Sequence, residues 1–175
     1  VSMSTDEKTR MGNIGEVLGG EFARVYLNFQ TTLVFPKRLN PNPEQSMKGV
    51  DILGFREKTL LGEILLGEVK SYTKLDTRAI SEAYTNLKKL SKSEKLPVFF
   101  HFTKEYLNLQ RNSAEAQNID RHMAEDTPKN CFLLSVTQNT SKRPFKNLPQ
   151  NNDVELLAVH IQLEDIRLFL DALFS

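Results

Sequence analysis

The chain has 175 residues, 39% of them hydrophobic and 26% charged, with a net charge of +1. That length suits one compact domain with a sizeable core, and the composition excludes a disordered chain. The near-neutral balance excludes bulk attraction to nucleic acid, so any such surface must be local or lent by a partner.

Taken in order, the polar residues 1–10 read as a disordered lead-in to a single domain covering residues 1–175. From Gly12 to Phe29, apolar residues at three- and four-residue spacing predict a helix, with the stripe Ile14, Leu18, Phe22, Val25, Tyr26 and Phe29. Opposite lies a small-residue strip of Gly12, Gly19, Gly20 and Ala23, with Glu16 in its middle. Each interior glycine costs about 1 kcal/mol in a helix, so this strip implies close backbone approach and a helix covered on two faces.

Thr31 to Phe35 reads as a strand and Pro36 to Met47 as a loop. Strands then run from Val50 to Arg56 and from Glu63 to Ser71, turning near Lys58 and Thr59. Asp76 is placed to cap a helix reaching Ser91, with Ile80, Ala83, Tyr84, Leu87 and Leu90 inward. Pro97 to Gln110 is read as a helix on the spacing of Phe99, Phe102, Tyr106 and Leu109, followed by a polar helix from Ser113 to Glu125. Cys131 to Thr137 reads as a buried strand, Gln138 to Asp153 as a polar loop, Val154 to Ile161 as a last strand, and Leu163 to Phe174 as a closing helix. The order predicts an α/β fold, a central mixed β-sheet flanked by helices on both faces.

Cys131 is the single cysteine, which excludes a disulfide framework and a cysteine-rich zinc site, and its apolar run makes it a structural thiol. No run approaches the ~18 apolar residues of a membrane span and no signal peptide is read, so a cytoplasmic location is expected.

The chemistry is concentrated at Asp51, Glu68 and Lys70, charges set at the ends of apolar, β-branched runs where packing normally takes every position. Strand side chains alternate between faces, so Glu68 and Lys70 share one face, as do Asp51, Leu53 and Phe55. A hairpin turning near Lys58 sets Asp51 opposite Glu68, Leu53 opposite Leu66 and Phe55 opposite Ile64. Two carboxylates facing each other across a ladder require a raised pKa or a cation between them. A hard divalent ion, Mg²⁺ or alternatively Mn²⁺, suits such a pair completed by waters and phosphate oxygens. Lys70 then helps deprotonate or orient the attacking water, or offsets charge developing on the phosphate.

Asp51 followed by Glu68-Val69-Lys70 on a second strand, after a helix bearing Glu16, resembles the PD-(D/E)XK nuclease superfamily, with Val50 in place of the proline of its name. Within it, Gly12-Asn13-Ile14-Gly15-Glu16, Lys48-Gly49-Val50-Asp51 and Leu66-Gly67-Glu68-Val69-Lys70-Ser71-Tyr72 are most similar to HamA. The resemblance implies a restriction-endonuclease-like αβββαβ core and a metal-dependent endonuclease cutting DNA in the Hachiman antiphage defence system. It implies Asp51, Glu68 and the Val69 carbonyl as metal ligands, Lys70 as the catalytic lysine and Glu16 as an accessory acid. It also implies a helicase or ATPase partner; an oligomer is left open.

Lys48, Lys74 and Arg78 flank the motif and are the candidate nucleic-acid contacts. His101, His122 and His160 share no spacing and read as structural or exposed. The contrasting reading is a nuclease-fold module without catalysis that binds nucleic acid or a partner ATPase.

Overall fold

The computed structural model describes residues 7–34, 50–93, 98–125, 127–138, 142–149, 155–165 and 168–169. The elements are α1 (Glu7–Val25), β1 (Thr31–Val34), β2 (Ile52–Phe55), β3 (Ile64–Tyr72), α2 (Thr77–Ser91), α3 (Val98–Leu109), α4 (Ser113–Ala124), β4 (Lys129–Gln138) and β5 (Leu156–Leu163). The strands form one sheet in the order β1-β2-β3-β4-β5. The pairs β1–β2 and β2–β3 are antiparallel, and β3–β4 and β4–β5 are parallel. This is the expected mixed sheet with helices on both faces. The loop expected at residues 36–47 and nearly all of the closing helix lie outside the described residues; Leu168 and Phe169 are helical.

Alternation along the strands sorts the side chains into two cores. On one face Leu53, Phe55, Ile64, Leu66, Cys131 and Leu133 meet Ile80, Ala83, Tyr84 and Leu87 of α2, Phe100 and Leu107 of α3, and Ala116 and Ile119 of α4. On the other, Ile52, Leu65, Val69, Phe132, Leu134 and Val136 meet Ala23 of α1 and Phe29 beyond it. Each large side chain buried completely in this way contributes roughly 1.5–3 kcal/mol. Cys131 is a buried free thiol, and burial raises its pKa, as a structural role requires.

α1 starts earlier than expected and is covered on two faces as expected, whereas α3 turns differently from expectation. α1 begins at Glu7, so residues 7–10 are helical rather than part of a disordered lead-in. Its sheet-facing side is the small-residue side: an added Cβ at Gly15 would lie 2.7 Å from Ser71 Cβ, and one at Gly19 would lie 2.5 Å from Ile52 Cδ1. The large apolar stripe is buried only in part. Tyr26 is 74% exposed and Val25 is exposed, because the helix ends at Val25 and Asn28 takes a positive φ of 57°. Phe29 then folds back beneath Gly54. In α3 the buried line is Phe100, Thr103 and Leu107, whereas Phe102, Tyr106 and Leu109 face outward. Phe55 sets this rotation by meeting Phe100 edge-on with ring centroids 6.4 Å apart.

The β2–β3 hairpin has the expected register, with Leu53 opposite Leu66 and Phe55 opposite Ile64. Its turn is held from the helical layer. His122 of α4 places Nε2 2.6 Å from the Leu60 carbonyl oxygen and Nδ1 2.9 Å from Thr127 Oγ1. Leu60 itself sits at a positive φ of 62°, a conformation an L-residue adopts only when its surroundings impose it.

Candidate active site

Asp51 stands immediately before β2, whose ladder with β3 ends at the Ile52–Gly67 pair. One residue further along the same register, its carboxylate takes the place of a strand partner: Val69 N–H donates to Asp51 Oδ2 at 2.7 Å. Glu68 and Lys70 project from β3 on the helical α2 face. Lys70 Nζ is 2.8 Å from Glu68 Oε2 and 3.8 Å from Asp51 Oδ2. The ammonium is therefore the cation between the two carboxylates. Glu68 is only 5% exposed, while the Asp51 and Lys70 side chains retain 28% and 23% of their surface.

Burial governs the electrostatics. It raises the Asp51 pKa against the opposing pull of Lys70 and the Val69 N–H. Burial and then the Asp51 charge raise that of Glu68, partly countered by Lys70 and Asn86. For Lys70, burial pulls downward, but Glu68 and Asp51 together outweigh it and hold the ammonium above its ordinary value. Tyr72 is raised as well, mainly by burial. These are perturbed groups clustered at one sheet corner, the pattern expected of a reactive site.

Among the described residues no group of three or more histidine, cysteine or acidic side chains could hold a metal. The donors available are two carboxylates and backbone. In an extended strand a residue's N–H and C=O point to the same side, so the Val69 carbonyl faces the Asp51 side, beyond the end of the β2 ladder. Such an all-oxygen set with few protein ligands matches what a hard divalent ion takes alongside water and phosphate oxygens.

The remaining described candidates lie outside β2 and β3. Glu16 follows Gly15 on α1, which packs on the face of β3 that carries Val69 and Ser71, opposite Glu68 and Lys70. It is half-buried and engaged in an interaction. Lys48 lies outside the described residues. Lys74 is exposed between β3 and α2, and Arg78 is exposed in the first turn of α2, 2.9 Å from Glu82. The α2 N-terminus is fixed by Asp76, which accepts from the Arg78 and Ala79 N–H groups as expected. A groove along the polar side of α2 is lined by Arg78, Ser81, Glu82, Thr85, Asn86 and Lys89.

Sequence reading missed Asn86. Its Nδ2 donates to Glu68 Oε1 at 2.9 Å, from one turn above the buried Ala83 and beside Leu87. The signal was a polar amide at the rim of the inward stripe of the helix that follows the motif strand.

The protein is thus an α/β domain with an acid, acid, lysine cluster at the step where its antiparallel ladder gives way to the parallel one. The HamA family profile matches residues 2–173, and the chain belongs to the HamA family. It is 29% identical to the Hachiman protein HamA of Bacillus cereus, over 97% of this chain and 61% of that relative. The chain therefore spans less than two thirds of the relative's length. Among the described residues no helix is long and apolar enough to cross a membrane.

Proposed function

We propose that the protein is a metal-dependent endonuclease that hydrolyses phosphodiester bonds in DNA. The observation that carries the reading is the convergence of Asp51, Glu68 and Lys70 on one corner of the sheet, with Lys70 Nζ within 2.8 Å and 3.8 Å of the two carboxylates. Two carboxylates held together at such a cost in burial and repulsion serve a cation-dependent reaction better than a fold that an apolar pair would stabilise more simply. Asp51, Glu68 and the Val69 carbonyl are the residues that would hold Mg²⁺ or Mn²⁺. Bound there, the ion supplies Lewis-acid polarisation of the phosphate and a water of lowered pKa.

The chain's own contribution follows from its charges. In the metal-free chain the two carboxylates hold the Lys70 pKa above its ordinary value. Beside both carboxylates, it is placed to act on the attacking water or to offset charge developing on the phosphate. The substrate backbone approaches along the α2 side, where Lys74 and Arg78 supply phosphate contacts, and Lys48, three residues before Asp51 in sequence, is a further candidate contact. By the resemblance, Glu16 adds an accessory acid from α1. Membership of the HamA family and similarity to a Hachiman protein support a place in antiphage defence; a helicase or ATPase partner and a cytoplasmic location belong to this reading by the resemblance alone.

The test is plasmid nicking by the purified chain with Mg²⁺ or Mn²⁺ beside Asp51→Ala, Glu68→Ala and Lys70→Ala. Wild type should cut while each variant loses at least about a hundredfold, the scale of removing a positioned catalytic group. Equal cutting by the variants would assign the activity to a contaminant. Saturable DNA binding with no cleavage across metals would favour a non-catalytic binding module.

A further inference from the structure

We propose that Asn86 is a positioning residue that fixes which oxygen of Glu68 is offered to the metal, an inference that rests on the metal-site reading above. The two oxygens of this buried carboxylate are held by different elements. Oε1 accepts from Asn86 Nδ2 of α2 at 2.9 Å, and Oε2 accepts from Lys70 Nζ of β3 at 2.8 Å. The orientation of the Asn86 amide follows from chemistry: an ionised carboxylate can only accept, so the amide nitrogen must face it.

The terminal torsion of a glutamate is broad and roughly two-fold, so a carboxylate held at one oxygen alone turns readily. Lys70 lies two residues away on the same strand, on a flexible stem, and does not lock that torsion. Asn86 does, because its backbone belongs to a helix anchored on the sheet by Ile80, Ala83 and Leu87. The Leu87 carbonyl itself lies 3.9 Å from the Cys131 thiol of β4, which ties this turn of α2 to the sheet. With Oε1 engaged, Oε2 is the oxygen left to exchange its ammonium for a divalent ion.

The choice of an amide is also informative. A lysine or arginine at position 86 would hold Glu68 more strongly but would add a second positive charge to repel the ion. A neutral donor orients the ligand without competing for its charge. This is the role that hydrogen-bond partners of metal ligands generally play, and their loss commonly weakens metal affinity 10- to 100-fold.

The experiment measures Mn²⁺ affinity of the whole chain without nucleic acid, by electron paramagnetic resonance, for wild type, Asn86→Ala, Asn86→Leu and Asp51→Ala. Alanine's gain in helix propensity partly offsets the hydrogen bond lost to Glu68, so the variant retains its fold with a modestly lowered melting temperature. The expected result is a Mn²⁺ dissociation constant raised 10- to 100-fold for both Asn86 variants, measured below their melting transitions. Cleavage should then need correspondingly more metal for half-maximal rate, with kcat at saturating metal within about threefold of wild type. Unchanged Mn²⁺ affinity in both variants, with or without a lowered melting temperature, would overturn the positioning role. If Asp51→Ala binds Mn²⁺ as wild type does, the underlying metal-site reading falls instead.

Discussion

Replacing Lys70 by Met removes the cation between Asp51 and Glu68 while keeping the bulk of the stem. At 2.8 Å and 3.8 Å, with an effective dielectric of about 20, each contact supplies roughly 4–6 kcal/mol of attraction, most of it offset by desolvation. Breaking a buried ionic set costs about 3–5 kcal/mol; the exposed quarter of Lys70 and Asp51 brings the expected loss to about 2–3 kcal/mol. For a chain of 175 residues that is a fall of roughly 5–10 °C in Tm, measured in chelator at neutral pH. Adding Mn²⁺ should reverse the loss, and raise Lys70→Met further than wild type, because no ammonium must be displaced; saturation at 100 Kd is worth about 2.7 kcal/mol. Cleavage should nevertheless be absent. A variant that melts with wild type in chelator and gains no more from Mn²⁺ would refute the view that the lysine stands in for the ion.

Asp51 and Glu68 both have raised folded-state pKa values, so their contribution favours folding below the ordinary carboxylate range and is lost as pH rises through the folded values. Urea titrations of the metal-free protein should therefore show that Asp51→Asn reduces the loss of stability between mildly acidic and neutral pH; an unchanged pH slope would contradict this. Gly15→Ala gains about 1 kcal/mol in helix propensity but sets a Cβ against Ser71 Cβ, and the net loss should be about 1–2 kcal/mol in chemical denaturation. A stabilised variant would show that α1 can lift from β3 at no cost. His122→Phe leaves the Leu60 carbonyl and Thr127 hydroxyl without the imidazole and should cost about 1–3 kcal/mol, with faster amide hydrogen exchange across residues 56–63 as the local readout.

The hairpin register was legible because the period of two keeps Leu53, Phe55, Ile64 and Leu66 on one face, and the turn near Lys58 and Thr59 selects the alignment that carries Asp51 to Glu68. The two-face cover of α1 was legible as well, from its apolar and small-residue stripes. That Gly15 rather than Gly12 meets the sheet was not, because it depends on Val69 and Ser71, which arrive from distant sequence. In α3, Phe100 and Phe102 offer two apolar faces of similar strength, and only the position of Phe55 decides between them. Asn86 escaped notice for a related reason: a polar residue on a helix rim has no periodic signature, and its meaning lies in a partner 18 positions away. Glu16 remains a reading by resemblance, since periodicity puts it only on the small-residue side.

Asp51, Glu68, Lys70 and Asn86 all fall within one stretch of chain, a hairpin and the helix that follows it. Closing loops of this length carries a small entropic penalty, and contacts of short sequence separation form early in folding. The acid, acid, lysine cluster therefore sits on a local supersecondary unit, which β4 braces by pairing along β3 and by setting Cys131 beside α2. Substitutions in α1, α3, α4 or the terminal strands can therefore alter the surroundings of the cluster without touching the segment of chain that carries it.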